Sequence, residues 1–185
     1  MNEQRWFSVP IWYDYVEIDD QQLNNIIDFC FKLSNYDQGR VKSNIGGWQS
    51  QDIHHDTFHQ LNVLLEIFKL KISVLSKITD TRLALDNCWI NINHKDNYNI
   101  NHIHPNCVFS GVFYLSASQD QGDIIFKNPN PFSHFVAPFI DHENLIHYKP
   151  ETKKILMFPS WLEHRVEPNL TDSPRISIAF NVQLT

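Results

Sequence analysis

Two hydrophobic periods divide this chain. Up to about residue 85, apolar side chains recur every three or four positions. Behind Asp19 and Asp20, either of which suits an N-cap, Leu23, Ile26, Ile27, Cys30 and Phe31 line one side of a predicted helix. A second stripe opens near Asp56 and Thr57 and runs through Leu61, Leu64, Leu65, Phe68, Ile72 and Leu75, over about five turns. Between them, Asn35 to Ser50 holds Gly39, Gly46 and Gly47 and reads as a loop.

After about Leu85 the period drops to two. Predicted strands follow one another at Asn87–Asn93, Tyr98–His104, Val108–Leu115, Asp123–Lys127, Leu145–Tyr148, Ile155–Phe158, His164–Pro168 and Arg175–Gln183. So many short strands predict a mostly β chain, a sandwich or jelly roll with N-terminal helices packed on one sheet. A single domain over 1–185 is expected, with a helical support region at 1–85 and a jelly-roll core at 86–185. The irregular stretch 128–150, with Pro129, Pro131, Pro138, Pro150, Phe132, Phe135 and Phe139, is expected to shape substrate access.

Two strands have one apolar and one polar face. Ile176, Ile178, Phe180 and Val182 alternate with Arg175, Ser177, Ala179 and Asn181, and Ile90 and Ile92 alternate with Trp89, Asn91 and Asn93. Taken alone, such a polar face reads first as the solvent side of a surface strand. If the apolar face is needed against the helices, the polar face instead lines a cavity inside the roll.

Composition narrows the chemistry. Of 185 residues, 42 % are hydrophobic and 19 % charged, which suits a globular core. Only 5 glycines are present, and neither G-x-G-x-x-G nor G-K-[ST] occurs, so a glycine-rich phosphate loop is excluded. A net charge of −6 argues against a general polyanion binder. The start shows no secretory signal, and no apolar run reaches the ~18–20 residues of a spanning helix. Cys30, Cys88 and Cys107 are scattered and fit free thiols, so a cytoplasmic location is expected.

Ten histidines are the compositional excess. His102 and His104 share a predicted strand face, roughly 7 Å apart, and could converge on one metal ion. An H-x-H pair arises readily by chance in so histidine-rich a chain, and surface or stacked histidines would look the same. His164 at the start of a late strand, with Arg175 after it, strengthens the metal reading. His54, His55 and His59 lack an H-E-x-x-H pattern and read as helix-start residues. His134, His142 and His147 fall in or beside the irregular stretch and read as solvated. Asp123 and Asp141 are candidate substrate contacts on no stronger ground than place.

Together these segments resemble the iron(II)- and 2-oxoglutarate-dependent oxygenases, most of all the prolyl-hydroxylase-like branch and its bacterial and phage members with an H-x-H-P motif. The resemblance runs from about Gly46 onward. It rests on Gly47–Ser50 (GWQS), His102–Pro105 (HIHP), Ser110–Leu115 (SGVFYL), Phe158–Val166 (FPSWLEHRV) and Arg175–Ser177 (RIS). It implies a double-stranded β-helix and an oxidoreductase, a dioxygenase that uses Fe(II), 2-oxoglutarate and O₂, with ascorbate as a candidate reductant. A C–H bond, with peptidyl-proline as one candidate substrate, would be hydroxylated with release of succinate and CO₂. His102, His104 and His164 would hold the metal. Arg175 would grip the distal carboxylate of 2-oxoglutarate, helped by Ser177 and Tyr114, while Asn91 and Asn93 would face the co-substrate.

The chain departs from the family at one point. The usual ligands are two histidines and a carboxylate, and His104 stands where the carboxylate would be. Either the site has three histidines, or Asn106 or a water takes that position. Three histidines would leave the ion one positive charge higher, which favours anionic 2-oxoglutarate. A three-histidine cupin dioxygenase that does not use 2-oxoglutarate, and a non-catalytic metal-binding jelly roll, are the alternatives. No general nucleic-acid or membrane partner is expected.

Overall fold

Asp19 starts the first helix by accepting hydrogen bonds on its carboxylate from the Gln21 and Gln22 amides, at 2.9 and 3.1 Å. Helix α1 (Asp20–Ser34) then buries Leu23, Ile26 and Cys30. The computed structural model describes residues 8–53, 58–130 and 144–185. Helix α2 (Asn62–Thr79) buries Leu64, Leu65, Phe68, Ile72 and Leu75, the expected stripe. It begins later than the sequence predicts, because Phe58 is extended and a 3-10 turn at His59–Leu61 comes first. Asp56 and Thr57, the expected cap, lie outside the described residues, as do His54 and His55.

The N-terminal region is less purely helical than its periodicity implies. It contributes β1 (Trp12–Tyr15), β2 (Asn44–Ile45) and β3 (Trp48–Gln49). Strands of two to four residues are too short to show a period, and tertiary pairing defines them. Gly46, at φ +77°, turns the chain between β2 and β3, which join different sheets.

Eight further strands follow: β4 (Leu83–Asn93), β5 (Tyr98–His102), β6 (Phe109–Ser116), β7 (Ile124–Lys127), β8 (Leu145–Tyr148), β9 (Lys154–Pro159), β10 (His164–Val166) and β11 (Arg175–Leu184). They form two antiparallel sheets, ordered β1-β9-β6-β11-β4-β3 and β2-β5-β10-β7-β8. This is a jelly roll, as expected. Of the irregular stretch 128–150, residues 131–143, with Pro131, Phe132, His134, Phe135, Pro138, Phe139, Asp141 and His142, lie outside the described residues.

The main core lies between the helices and the outer face of the larger sheet. Ile90, Ile92, Phe113, Ile176, Ile178, Phe180 and Val182 are buried there against Leu64, Phe68 and Ile72. Phe68 stacks on Phe180 at 4.6 Å between ring centroids and meets Phe113 edge-on at 6.0 Å. Gly111 pairs with Phe180, and a Cβ there would come within 2.2 Å of that ring, so packing alone requires this glycine. A second cluster, including Tyr114, Ile124, Phe126, Leu156 and Phe158, fills part of the space between the sheets. With the apolar face of β11 spent on the helices, its polar face is left to line the interior. Among the described residues, no helix is long and apolar enough to cross a membrane. Cys30, Cys88 and Cys107 are free, and burial pushes the first two thiols up to about 12.

Candidate metal centre

His102 closes β5 and His164 opens β10, and they are register partners across the smaller sheet. Their ring centroids lie 4.3 Å apart. His104 belongs to no strand; β5 ends at His102, two residues short of the prediction. The chain turns at Pro105 and Asn106, held by the His104 amide donating to the Ser160 carbonyl at 2.9 Å. The turn still returns the His104 ring to within 5.2 Å of His102 and 5.1 Å of His164. Each imidazole offers one ring nitrogen to a group whose members all lie within 4.8 Å of one another. Asn106, the other protein group considered for the third position, is exposed with a left-handed φ of 68° and does not line the cavity.

The partners of each ring fix which nitrogen is free. Nδ1 of His102 donates to the Ile100 carbonyl at 2.7 Å, and Nδ1 of His164 to the Leu162 carbonyl at 2.8 Å. Nδ1 of His104 lies 2.7 Å from Asn181 Oδ1 and 2.9 Å from Ser110 Oγ. With Nδ1 protonated, each Nε2 keeps a lone pair for a metal, the arrangement in which an outer hydrogen bond orients a ligating histidine. The Ser43 hydroxyl, 3.4 Å from His102 Nε2, is the one described group competing for such a lone pair.

Electrostatics favour the same protonation state. Phe126 and Phe158 pack on His164, and Trp89 lies 5.6 Å from His104. Burial in these surroundings lowers the pKa of His102, and takes His104 down to about 4 and His164 to about 3. All three are neutral at pH 7, as metal binding requires. Three neutral imidazoles on one side of a cavity form a donor set that suits zinc, copper, iron or nickel alike.

The cavity extends from the histidines to Arg175. Trp89, Asn91, Asn93, Tyr114 and Ser177 line it, so the structure gathers every residue the sequence assigned to the site. Arg175 is 1 % exposed. Its Nη1 donates to the carbonyls of Gln121, of Gly122 at 3.0 Å and of Glu167 at 3.4 Å. Its Nη2 is buried with no hydrogen-bond partner among the described residues. A guanidinium nitrogen stranded in this way costs stability unless something pairs it, and an anionic ligand in the cavity would do so. Tyr114 and Ser177 are register partners on neighbouring strands beside it. Burial pushes the Tyr114 phenol up to about 12, so it stays a neutral hydroxyl that can donate.

Asn181 and Ser110, which hold His104, carry no assigned role in the sequence reading. Asn181 shares the polar face of β11 with Arg175, and that alternation is the signal that could have drawn attention to it. His59 opens the 3-10 turn and is exposed. Asp123 and His147 pair at 3.4 Å and group with Glu167, and none of these lines the cavity.

Comparison with known proteins bears on the fold and the family. No curated protein matches the sequence. Among solved structures, a prolyl-4-hydroxylase from Pseudomonas putida is similar with a TM-score of 0.73 and 12 % identity, over 96 % of this chain and 94 % of that one. HygX from Streptomyces hygroscopicus, with nickel and 2-oxoglutarate bound, follows at a TM-score of 0.65 and 12 % identity, over 96 % and 83 %. The viral collagen prolyl hydroxylase of Paramecium Bursaria Chlorella virus-1 gives 0.62 and 12 %, over 94 % and 96 %. At these identities the likeness speaks for the fold. The family model described as "Putative 2OG-Fe(II) oxygenase" matches residues 87–181, just over half of the chain, and spans β4 to β11 with all three histidines and Arg175. The chain therefore belongs to the 2OG-Fe(II) oxygenases, oxidoreductases that work with Fe(II) and 2-oxoglutarate.

Proposed function

We propose that this protein is a dioxygenase whose iron is held by His102, His104 and His164 and whose 2-oxoglutarate is anchored by Arg175. The observation that carries the reading is the buried Nη2 of Arg175, without a hydrogen-bond partner among the described residues, beside the same cavity as the three imidazoles. Iron and 2-oxoglutarate together supply the oxidising chemistry: O₂ is consumed, succinate and CO₂ leave, and one oxygen atom enters a substrate C–H bond.

The chain's own residues bind and orient. Nη2 of Arg175 would donate to the distal carboxylate of 2-oxoglutarate, with the Tyr114 and Ser177 hydroxyls beside it as further donors. Asn91 and Asn93 line the same cavity and would face the co-substrate. The three neutral imidazoles would hold the ion through their free ring nitrogens. Phe126, Phe158 and Trp89 keep water scarce around them, which strengthens each polar contact inside.

Peptidyl-proline is the first substrate class to test, because two of the fold relatives are prolyl hydroxylases. HygX, which shares the fold and has been crystallised with hygromycin B, makes a small molecule the second. We also propose that residues 1–185 act as one catalytic unit, its helices supporting the β core. The free thiols suit the reducing cytoplasm.

The test is anaerobic. Fe(II) and then 2-oxoglutarate are added to the metal-free protein, and the weak visible charge-transfer band of the chelate is followed. A saturable band is expected. Iron binding without a band would favour a three-histidine dioxygenase that does not use 2-oxoglutarate. No iron binding would leave a non-catalytic jelly roll.

A further inference from the structure

Two of the three histidines are anchored alike, and the third is not. His102 and His164 each donate from Nδ1 to the carbonyl two residues earlier in their own chain segment. That anchor comes from each residue's own local backbone. His104 lies past the end of β5 and makes no such bond; its Nδ1 meets the side chains of Asn181 and Ser110. Ser110, Asn181 and Asn87 are register partners in a row across β6, β11 and β4.

This row fixes the orientation of the Asn181 amide. Its Nδ2 donates to Asn87 Oδ1 at 3.0 Å, so its oxygen faces His104. The Ser110 hydroxyl donates to that same oxygen at 2.9 Å. An amide oxygen only accepts, so the proton between Asn181 and His104 belongs to His104 Nδ1. The lone pair of His104 then sits on Nε2, on the side of the other two imidazoles. With the amide turned over, His104 would carry its proton on Nε2 and could not ligate through that atom.

We infer that Asn181 is a positioning residue that sets the tautomer and the aim of His104, pinned in turn by Asn87 and Ser110. The inference rests on the reading of His104 as a metal ligand. It also accounts for a ligand outside a strand: the larger sheet, through one amide, holds a ring that the smaller sheet no longer supports. An aspartate at 181 would keep the accepting oxygen and add charge, whereas an alanine would leave the ring free to turn and to change tautomer.

The test uses the full chain and two readouts. Histidine ¹⁵N spectra of the metal-free protein report the tautomer, with His104→Ala identifying the resonances, and Ni(II) titration reports metal affinity. His104 is expected as the Nδ1–H form in the wild type. Asn181→Ala should lose that preference and weaken Ni(II) binding by about ten- to 100-fold, the usual effect of removing such a partner. Asn181→Asp should retain the tautomer and bind Ni(II) at least as tightly as wild type. An Nε2–H tautomer in the wild type would overturn the inference without any variant at 181, so it stays testable if Asn181→Ala does not fold. Wild-type affinity in Asn181→Ala, or a loss in Asn181→Asp equal to that of Asn181→Ala, would also overturn it. Unchanged Ni(II) affinity in His104→Ala would instead remove the three-histidine reading beneath it.

Discussion

His102 and His164 face each other across β5 and β10 as direct register partners, 4.3 Å between ring centroids. They come from distant parts of the chain, yet one antiparallel pairing places both rings on the same side of the smaller sheet. A strand bonded to its neighbour in fixed register makes their separation a property of the backbone, so little side-chain freedom remains to be lost when an ion binds.

Replacing either residue by Ala should therefore remove most bound iron. The core that holds the fold lies on the far face of the larger sheet, so secondary structure should survive. Iron stoichiometry beside circular dichroism measures both. Unchanged iron content in either variant would take that histidine out of the ligand set.

Arg175→Ala should weaken 2-oxoglutarate binding by roughly ten- to 150-fold, the effect of losing a charged hydrogen-bond partner worth about 1.5–3 kcal/mol. Iron binding should persist. Arg175→Lys should recover only part of the loss, since an ammonium keeps the charge and loses the planar fork. Because Arg175 also ties down carbonyls of the chain before β7 and after β10, both variants should melt at a lower temperature. Titration of 2-oxoglutarate into the iron-loaded proteins is the measurement, and equal affinity in the Ala variant would reject the assignment.

The metal-free protein should lose stability in acid through its buried histidines. His104 and His164 have folded-state pKa values of about 4 and about 3, below the unfolded value of 6.5, both held down chiefly by burial. Above pH 6.5 both states are neutral and these groups add no pH dependence. As pH falls below 6.5 the unfolded chain binds protons first, so stability drops until the folded rings protonate too. The loss is on the order of a few kcal/mol per histidine by pH 4. Urea midpoints between pH 8 and pH 4.5 should show it, and His164→Gln should flatten the curve. An identical slope in that variant would contradict the assignment.

Phe68→Ala should cost about 3–5 kcal/mol, as for a large buried aromatic with no room to collapse. Phe68 is fully buried and touches both Phe180 and Phe113. The cavity lies on the other face of the same sheet, so the surviving folded fraction should still bind Ni(II) with near-wild-type affinity. Urea unfolding and Ni(II) titration measure the two effects separately. A loss below 1 kcal/mol would show that the helical layer contributes little.

The layers, and the two unlike faces of β11, are legible in residue order. A period of 3.6 gave α1 and α2 their buried stripes, and a period of two put Arg175 and Ser177 on one face of β11 and Ile176 and Ile178 on the other. Both periods are local consequences of backbone geometry, which is why they can be read from residue order. Tertiary structure alone decided where α2 starts, since a 3-10 turn replaces the expected first turn. It also decided the three short strands of the N-terminal region, whose hydrogen bonds come from partners far along the chain. The third histidine shows the division most sharply. Its identity and spacing are plain in H-x-H, but the strand ends at His102, so alternation no longer governs where the His104 ring points. That direction is set by Asn181, brought beside it by the pairing of β11 with β6 and β4, a contact between residues far apart in sequence that no local pattern encodes.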